Sequence, residues 1–359
     1  MERGFSMTAV FGASLGVSGI HGLSVDSTST PPTSTEMFAA LPAASQNYWK
    51  AVTATVKDMA GQTPSPVLAL RDKNPTEAYG VEYVDGLALV SDLGAQIGAL
   101  QETGLLVDEE TVALFDVGAG GVTVSIVDVA SGHVHVSRRT TVLSGDACDA
   151  ALVRFLLERY GFGRPLAPDV QETFVESVCA GKERLSRFSA VDIDGPLSGG
   201  AVTVYRSDLD DLIRDDVYDA VTLAEAMIAA HGHVGALFAV GGGADMQIVR
   251  QSLFDAVSVP VFVPADPQLL AARGAAGTAA RLSVSGAGPA AGRPRHSDSS
   301  SRHRGRLKRS RYLGGVVALV VAGGVTASAG AMSRDADQAG GDGNPSRAVF
   351  TSPTHVPAG

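Results

Sequence analysis

Cysteine is almost absent from this 359-residue chain: Cys148 and Cys179 are the only two, far apart and without the paired spacing of metal ligands. Neither a disulfide framework nor a cysteine metal site is suggested, and two isolated thiols suit a reducing compartment and a role as small buried hydrophobes. Aromatic residues are also scarce, at 6%, and Trp49 beside Tyr48 reads as core or partner groove rather than a cofactor box. His21, His231 and His233 have no paired ligands in the sequence and read as turn or surface residues. Basic residues are few outside one short stretch. Residues 293–311, "RPRHSDSSSRHRGRLKRSR", hold eight Lys/Arg and one Asp, and residues 333–359 hold two Arg and three Asp. Removing these from the totals of 28 basic and 38 acidic residues leaves a net charge of −16 for the remainder. An acidic head argues against general binding to nucleic-acid phosphates, which depends chiefly on Lys and Arg.

What the basic stretch precedes explains it. "YLGGVVALVVAGGVTASAGAM", Tyr312 to Met332, is 21 residues without a charge, long enough to cross a hydrocarbon core of about 30 Å as a helix. Positive charge before the span and little after it predicts a single-pass protein whose N-terminal head is cytoplasmic and whose C-terminus is outside. The chain therefore divides into a head over 7–283, a basic flexible linker over 284–311, a transmembrane helix over 312–332 and a short tail over 333–359. The apolar stretch after "MERGFS" lacks a sustained Leu-rich core and reads as a hairpin, with strands Thr8–Phe11 and His21–Val25, rather than a secretion signal.

The rest of the head alternates strand and helix. "DSTSTPPTSTE" reads as a polar loop, Ser45–Met59 as a helix stopped at Gly61, "PVLALRD" and "LALVSD" as buried strands, and Leu93–Gln101 as a helix. "LFDVGAGGVTVSIVDVASG" is a hairpin of Val112–Val117 and Val122–Val127 around a turn of small residues, followed by the strand "HVHVSRR". Helices follow from "SGDACDAALVRFLLERYG" and over Pro168–Arg187, then paired strands "AVDID" and "AVTVY". A long helix, capped at Ser207, leads to a strand, the triple-glycine turn Gly241–Gly243 and a helix. "VPVFV" and an Ala-rich helix close the head. In the central hairpin Asp116 ends an apolar run beside Gly118, Gly120 and Gly121. A bare turn lets backbone N–H groups approach phosphate, and a neighbouring carboxylate suits a metal ion or its water shell.

Three glycine-bearing turns thus follow in order: "SLGVSG", "FDVGAGG" and "AVGGGADM". That order resembles the actin-like ATPase superfamily and, within it, the DnaK-type heat-shock chaperones. "GDACDAALVRFL", "GKERLS", "VYRSDLDDLI" and "ADPQLLAARGAAGTAA" are similar to further segments of the same family, so the resemblance covers roughly Met7 to Leu282. It implies an α/β, two-lobed actin-like ATPase fold with a truncated first lobe. Lobe I would span about 7–130 and lobe II about 131–283, the closing helix returning to lobe I. It implies ATP or ADP with Mg²⁺ as cofactors: Gly16, Ser18, Gly118, Gly120 and Gly121 at the phosphates, Lys182, Gly241, Gly242 and Gly243 at the adenosine, Asp116 at the metal, and Gly145 at a close approach between lobes.

The departures bear on activity. Ser14 stands where the family carries a metal-organising Asp, followed by Leu15, Gly16, Val17 and Ser18 in place of Leu-Gly-Thr-Thr. Thr123 replaces a later Asp, and Ser91 or Asp92 occupies the position of a catalytic Glu. The family's catalytic Lys falls in the shortened region, where Lys50, Lys57 and Lys73 are equal candidates. Since phosphoryl transfer rests on positioned charges, these losses predict a membrane-tethered, nucleotide-responsive switch or scaffold with weak or no hydrolysis and an unidentified protein partner. A slow chaperone ATPase and a nucleotide-free interaction module are the alternatives.

Overall fold

The structure, a computed structural model, describes residues 9–26, 33–41, 47–71, 77–106, 109–161, 163 and 165–285. Lys73, the 312–332 span and the 333–359 tail lie outside the described residues, as does the expected linker beyond Ser285. No helix among the described residues is long and apolar enough to cross a membrane.

Short apolar runs and glycine turns build two sheets on one plan. In the first, β1 (Val10–Leu15), β2 (Ile20–Asp26) and β3 (Thr33–Ala39) form an antiparallel meander. β4 (Val67–Leu70) then pairs parallel with β1, and β6 (Leu87–Ser91) pairs parallel with β4, while β5 (Glu82–Val84) closes the edge antiparallel to β6. The order is β3-β2-β1-β4-β6-β5. In the second sheet β7 (Thr111–Gly118), β8 (Gly121–Asp128) and β9 (Val134–Thr140) form the meander. β12 (Ala236–Val240) and β13 (Val261–Phe262) extend it in parallel, in the order β13-β12-β7-β8-β9. Each sheet thus places its third, second, first, fourth and fifth main strands side by side, an arrangement consistent with an ATPase-like α/β fold. The central hairpin, expected to close the first lobe before residue 130, pairs its strands into the second sheet, so the division between sheets falls between Ser91 and Thr111.

Helices cover the sheets where their apolar stripes dictate. α1 (Tyr48–Ala60) lays Val52, Val56 and Ala60 against Phe11, Ala13, Leu68 and Leu70 on one face of the first sheet. α7 (Leu270–Ser285) lays Ala271, Ala275, Ala276 and Ala279 on the other face, against Val10, Val67, Ala69 and Ala88. The last helix therefore seats on the first strand. The contact is backbone-close: a Cβ on Gly12 would lie 2.0 Å from the Ala276 nitrogen, and one on Gly274 would lie 1.7 Å from the Ala95 carbonyl oxygen. α2 (Asp92–Glu102) contributes Ala95 to that core and Ile97 and Leu100 to the core beneath the second sheet, with Val112, Leu114, Phe238 and Val240.

The other face of the second sheet carries α3 (Gly145–Tyr160), α4 (Pro168–Leu185), the ribbon of β10 (Ala190–Ile193) and β11 (Val202–Tyr205), α5 (Arg206–His231) and α6 (Gln247–Ala256). Their buried residues, among them Leu152, Phe174, Ile213 and Leu253, form the largest core with Phe115 and its neighbours on the sheet. Two local expectations are corrected. "TSTEMFA" is the edge strand β3 rather than part of a loop. α5 begins at Arg206, two residues earlier than a cap at Ser207 allows: Asp208 Oδ2 accepts from the Tyr205 N–H at 2.9 Å, one of the donors a helix start leaves unpaired.

Candidate functional site

β4 and β6 run parallel in the first sheet and β7 and β12 in the second, and the Arg71–Asp116 contact brings the carboxyl ends of β4 and β7 together, the end of open α/β sheets where ligands gather. Arg71 follows β4, Asp92 follows β6 and Asp116 sits near the end of β7. The Arg71 guanidinium joins them: Nη2 donates to Asp116 Oδ2 at 2.7 Å and Nε to Asp92 Oδ2 at 3.3 Å. Gln96 Nε2 adds a contact to Asp116 Oδ2 at 3.3 Å. Burial works against the charge on Arg71, but the two carboxylates outweigh it and hold its pKa above the ordinary value. Burial is the first cause of a raised Asp92 pKa; the Arg71 charge opposes it and Asp116 adds to it. The partly open space beside these groups, lined also by Thr123 and Ser125, measures about 20 Å³, room for one water molecule.

The fit of a divalent cation follows from this arrangement. The expected metal carboxylate, Asp116, is already paired with a fixed cation, and so is Asp92. Among the described residues no group of three or more His, Cys, Asp or Glu side chains is placed to hold a metal ion. A magnesium ion at Asp116 would lie against a guanidinium of like charge. The residues present do not fit it.

The glycine turns converge here. Gly118 and Gly121 pair across the β7–β8 turn, and the Ala119 carbonyl accepts from Asp146 N–H of α3 at 2.9 Å. Gly145 permits the approach, since a Cβ there would lie 3.0 Å from Ala119 Cα. Gly16 and Ser18 are exposed in the β1–β2 turn, where Gly16 N–H donates to Gly19 carbonyl at 2.9 Å. Between them, Val17 rests on the second turn: a Cβ on Gly120 would lie 2.7 Å from Val17 Cγ2. At the third turn Gly241 has φ of +80°, and a Cβ there would lie 2.5 Å from Asp116 Oδ1. Gly243 is closed in the same way by the Val117 side chain, whereas a Cβ on Gly242 would meet only Gln268 Cβ, at 3.8 Å. The chain's own packing on β7 thus accounts for two of these three glycines.

Lys182 points to the α3 N-terminus, with Nζ donating to Gly145 carbonyl at 3.0 Å and pairing with Asp149 Oδ2 at 2.8 Å. Burial lowers its pKa, but the Asp149 charge prevails and the net shift is upward. Lys57 Nζ is engaged by the Asp85 carbonyl at 2.7 Å, Lys50 is exposed on α1, and neither lies among the residues that meet Asp116. The cation that does is Arg71, which the sequence reading passed over; its signal was a basic residue directly after a buried parallel strand. Arg139 on β9 was also missed. Its Nη1 donates to Thr123 Oγ1 at 3.2 Å and its Nη2 to the Gly120 carbonyl, across the turn from Arg71.

Residues 186–287 match a family of unknown function, DUF7159. Curated relatives include the chaperone protein HscA homologs of Colwellia psychrerythraea, 28% identical over 178 residues, and of a Pseudomonas aeruginosa strain, 28% identical over 175. A third, from a Pseudomonas fluorescens strain, is 26% identical over 174 residues. Each alignment covers 47% of this chain and 28% of the relative, so the match spans less than a third of those proteins. These similarities relate the chain distantly to DnaK- and Hsp70-like chaperones.

Proposed function

We propose that the head is a chaperone-like nucleotide-binding unit that takes adenine nucleotide without hydrolysing it, and that it serves as a switch or scaffold held at a membrane by residues 312–332. The observation that carries this reading is Arg71 bound to both Asp92 and Asp116. Hydrolysis needs a positioned water and stabilised charge at the transferred phosphoryl group. Here the two acids nearest the glycine turn neutralise an arginine, and Ser14 and Thr123 supply no further carboxylate. Binding can survive that loss, because the exposed turns at Gly16–Ser18 and the bare Gly118–Gly121 backbone remain. A ligand works as a switch only by contacting its favoured state differently, which two sheets meeting at one edge permit.

The test is a thermal melt of the purified full-length chain with ADP or ATP, each in magnesium and in EDTA, beside a phosphate-release assay. Stabilisation of roughly 2.7 kcal/mol is expected at a hundredfold excess over Kd, without phosphate release. Release at an enzyme's ordinary rate overturns the non-hydrolysing reading. A second reading, an interaction module without nucleotide, is favoured by Val17 lying on Gly120; no melting shift under any condition would establish it over the first. For the tether, protease added to intact cells should remove a C-terminal tag and spare an N-terminal one. The reverse pattern would sink that topology.

A further inference from the structure

The turn from Gly118 to Gly121 lies between two arginines. Arg71 Nη2 is 3.8 Å from where a Cβ on Gly118 would sit, and Arg139 Nη2 is 3.2 Å from the same position on Gly120 and on Gly121. The two guanidiniums differ in what they answer to. Arg71 is neutralised by Asp92 and Asp116, whereas Arg139, half-buried, has no carboxylate within ion-pair distance among the described residues. Its contacts are the Thr123 hydroxyl and the Gly120 carbonyl, both uncharged. In the turn itself, the N–H groups of Ala119 and Gly120 make no hydrogen bond among the described residues. A half-buried cation and two free N–H donors on one tight turn are the complement of an oxyanion.

We propose that this turn takes a phosphate group directly, without a divalent ion: Arg139 and the Ala119 and Gly120 N–H groups donate to the phosphate, while Arg71 stays paired with Asp92 and Asp116 and keeps a metal off Asp116. The ligand class is a metal-free polyphosphate, which is a nucleoside di- or triphosphate if the reading of the head as an adenine-nucleotide unit also holds. Chelation by magnesium removes the charge and the oxygen lone pairs that Arg139 seeks, so the magnesium complex is the weaker ligand. Val17 covers Gly120 and must swing aside, a small cost for an exposed residue in a turn.

Calorimetric titration of the purified full-length chain with sodium tripolyphosphate and, separately, with ADP decides this. Tripolyphosphate should bind in EDTA, and saturating magnesium should weaken it about threefold or more. Arg139→Gln should weaken it about tenfold, while Arg139→Lys, which keeps the charge, should recover most of the loss. Melting curves confirm that each variant is folded. Binding that requires magnesium, or that Arg139→Gln leaves unchanged, overturns the proposal, as does the absence of tripolyphosphate binding in EDTA. Tripolyphosphate binding without ADP binding would uphold the phosphate site and remove the nucleotide reading; ADP binding only with magnesium would do the opposite.

Discussion

The β1–β2 and β7–β8 hairpins match position for position. Leu15 faces Ile20 as Val117 faces Val122, Ser14 faces His21 as Asp116 faces Thr123, and Gly19 and Gly121 both take positive φ, 150° and 139°. The backbone plan is therefore one plan used twice. What differs is the charge beside the turn: the first hairpin has Ser14 where the second keeps Asp116 with Arg71 upon it. The comparison teaches that a carboxylate in a phosphate-type turn does not declare its partner. The second hairpin holds its acid against a cation supplied by the first sheet, so the residue that looks like a metal ligand acts as one half of an ion pair between the sheets.

The largest expected effect would come from treating the hairpins as interchangeable in their cores. Gly12 occupies the place that Leu114 holds in the second hairpin, and only glycine fits beneath α7. Gly12→Ala or Gly274→Ala should lower stability by about 3 kcal/mol in urea unfolding, since backbone atoms of α7 or α2 must shift. Gly118→Ala, with its nearest neighbours at 3.8 Å and beyond, should cost under about 1 kcal/mol. A Gly12→Ala chain with wild-type unfolding would mean that α7 does not seat on β1 as described.

A middle-sized effect separates the hairpins electrostatically. Arg71→Ala leaves Asp116 and Asp92 without their counter-ion and should cost about 2 kcal/mol, less than a fully buried pair because the groups keep some exposure. A double-mutant cycle should find coupling of about 1 kcal/mol between Arg71 and Asp116 and none between Arg71 and Ser14. Equal coupling to both positions would erase the distinction.

The smallest effect probes the core behind the second hairpin. Burial pushes the thiols of Cys148 and Cys179 up to about 11, so both stay protonated at pH 8 and reactive thiolate appears only as pH approaches that value. Iodoacetamide labelling of the folded chain at pH 8 should run roughly a hundredfold slower than labelling of the denatured chain. Labelling at comparable rates would show that this core is open.

Most of the fold was legible because period and punctuation agreed. The two hairpins, α1 stopped at Gly61, and the β10–β11 ribbon each combine an apolar rhythm with a turn or cap signal. β3 was not legible, because Thr33 to Glu36 are exposed on an edge strand and no apolar face marks them as sheet. The glycine turns of the site were visible, and the structure brings Gly118, Gly120, Gly121, Gly241 and Asp116 together. Arg71 was not, since its role depends on where β4 ends beside β1 and β7, a matter of sheet order rather than local spacing. Gly241 and Gly243 carried a similar ambiguity: glycine forced by a neighbouring strand and glycine kept bare for a ligand look the same in one dimension.

The seating of α7 on β1 also sets a schedule for synthesis. The strands of the second sheet lie between Thr111 and Phe262, so they are complete before α7 leaves the ribosome. The first sheet waits with Val10, Val67 and Ala69 uncovered until Leu270 to Ser285 arrive, some 250 residues after β1 was made. During that interval its exposed apolar face is the part of the nascent chain most in need of shelter, and a stalled or truncated product ending before α7 would be the form most prone to aggregate.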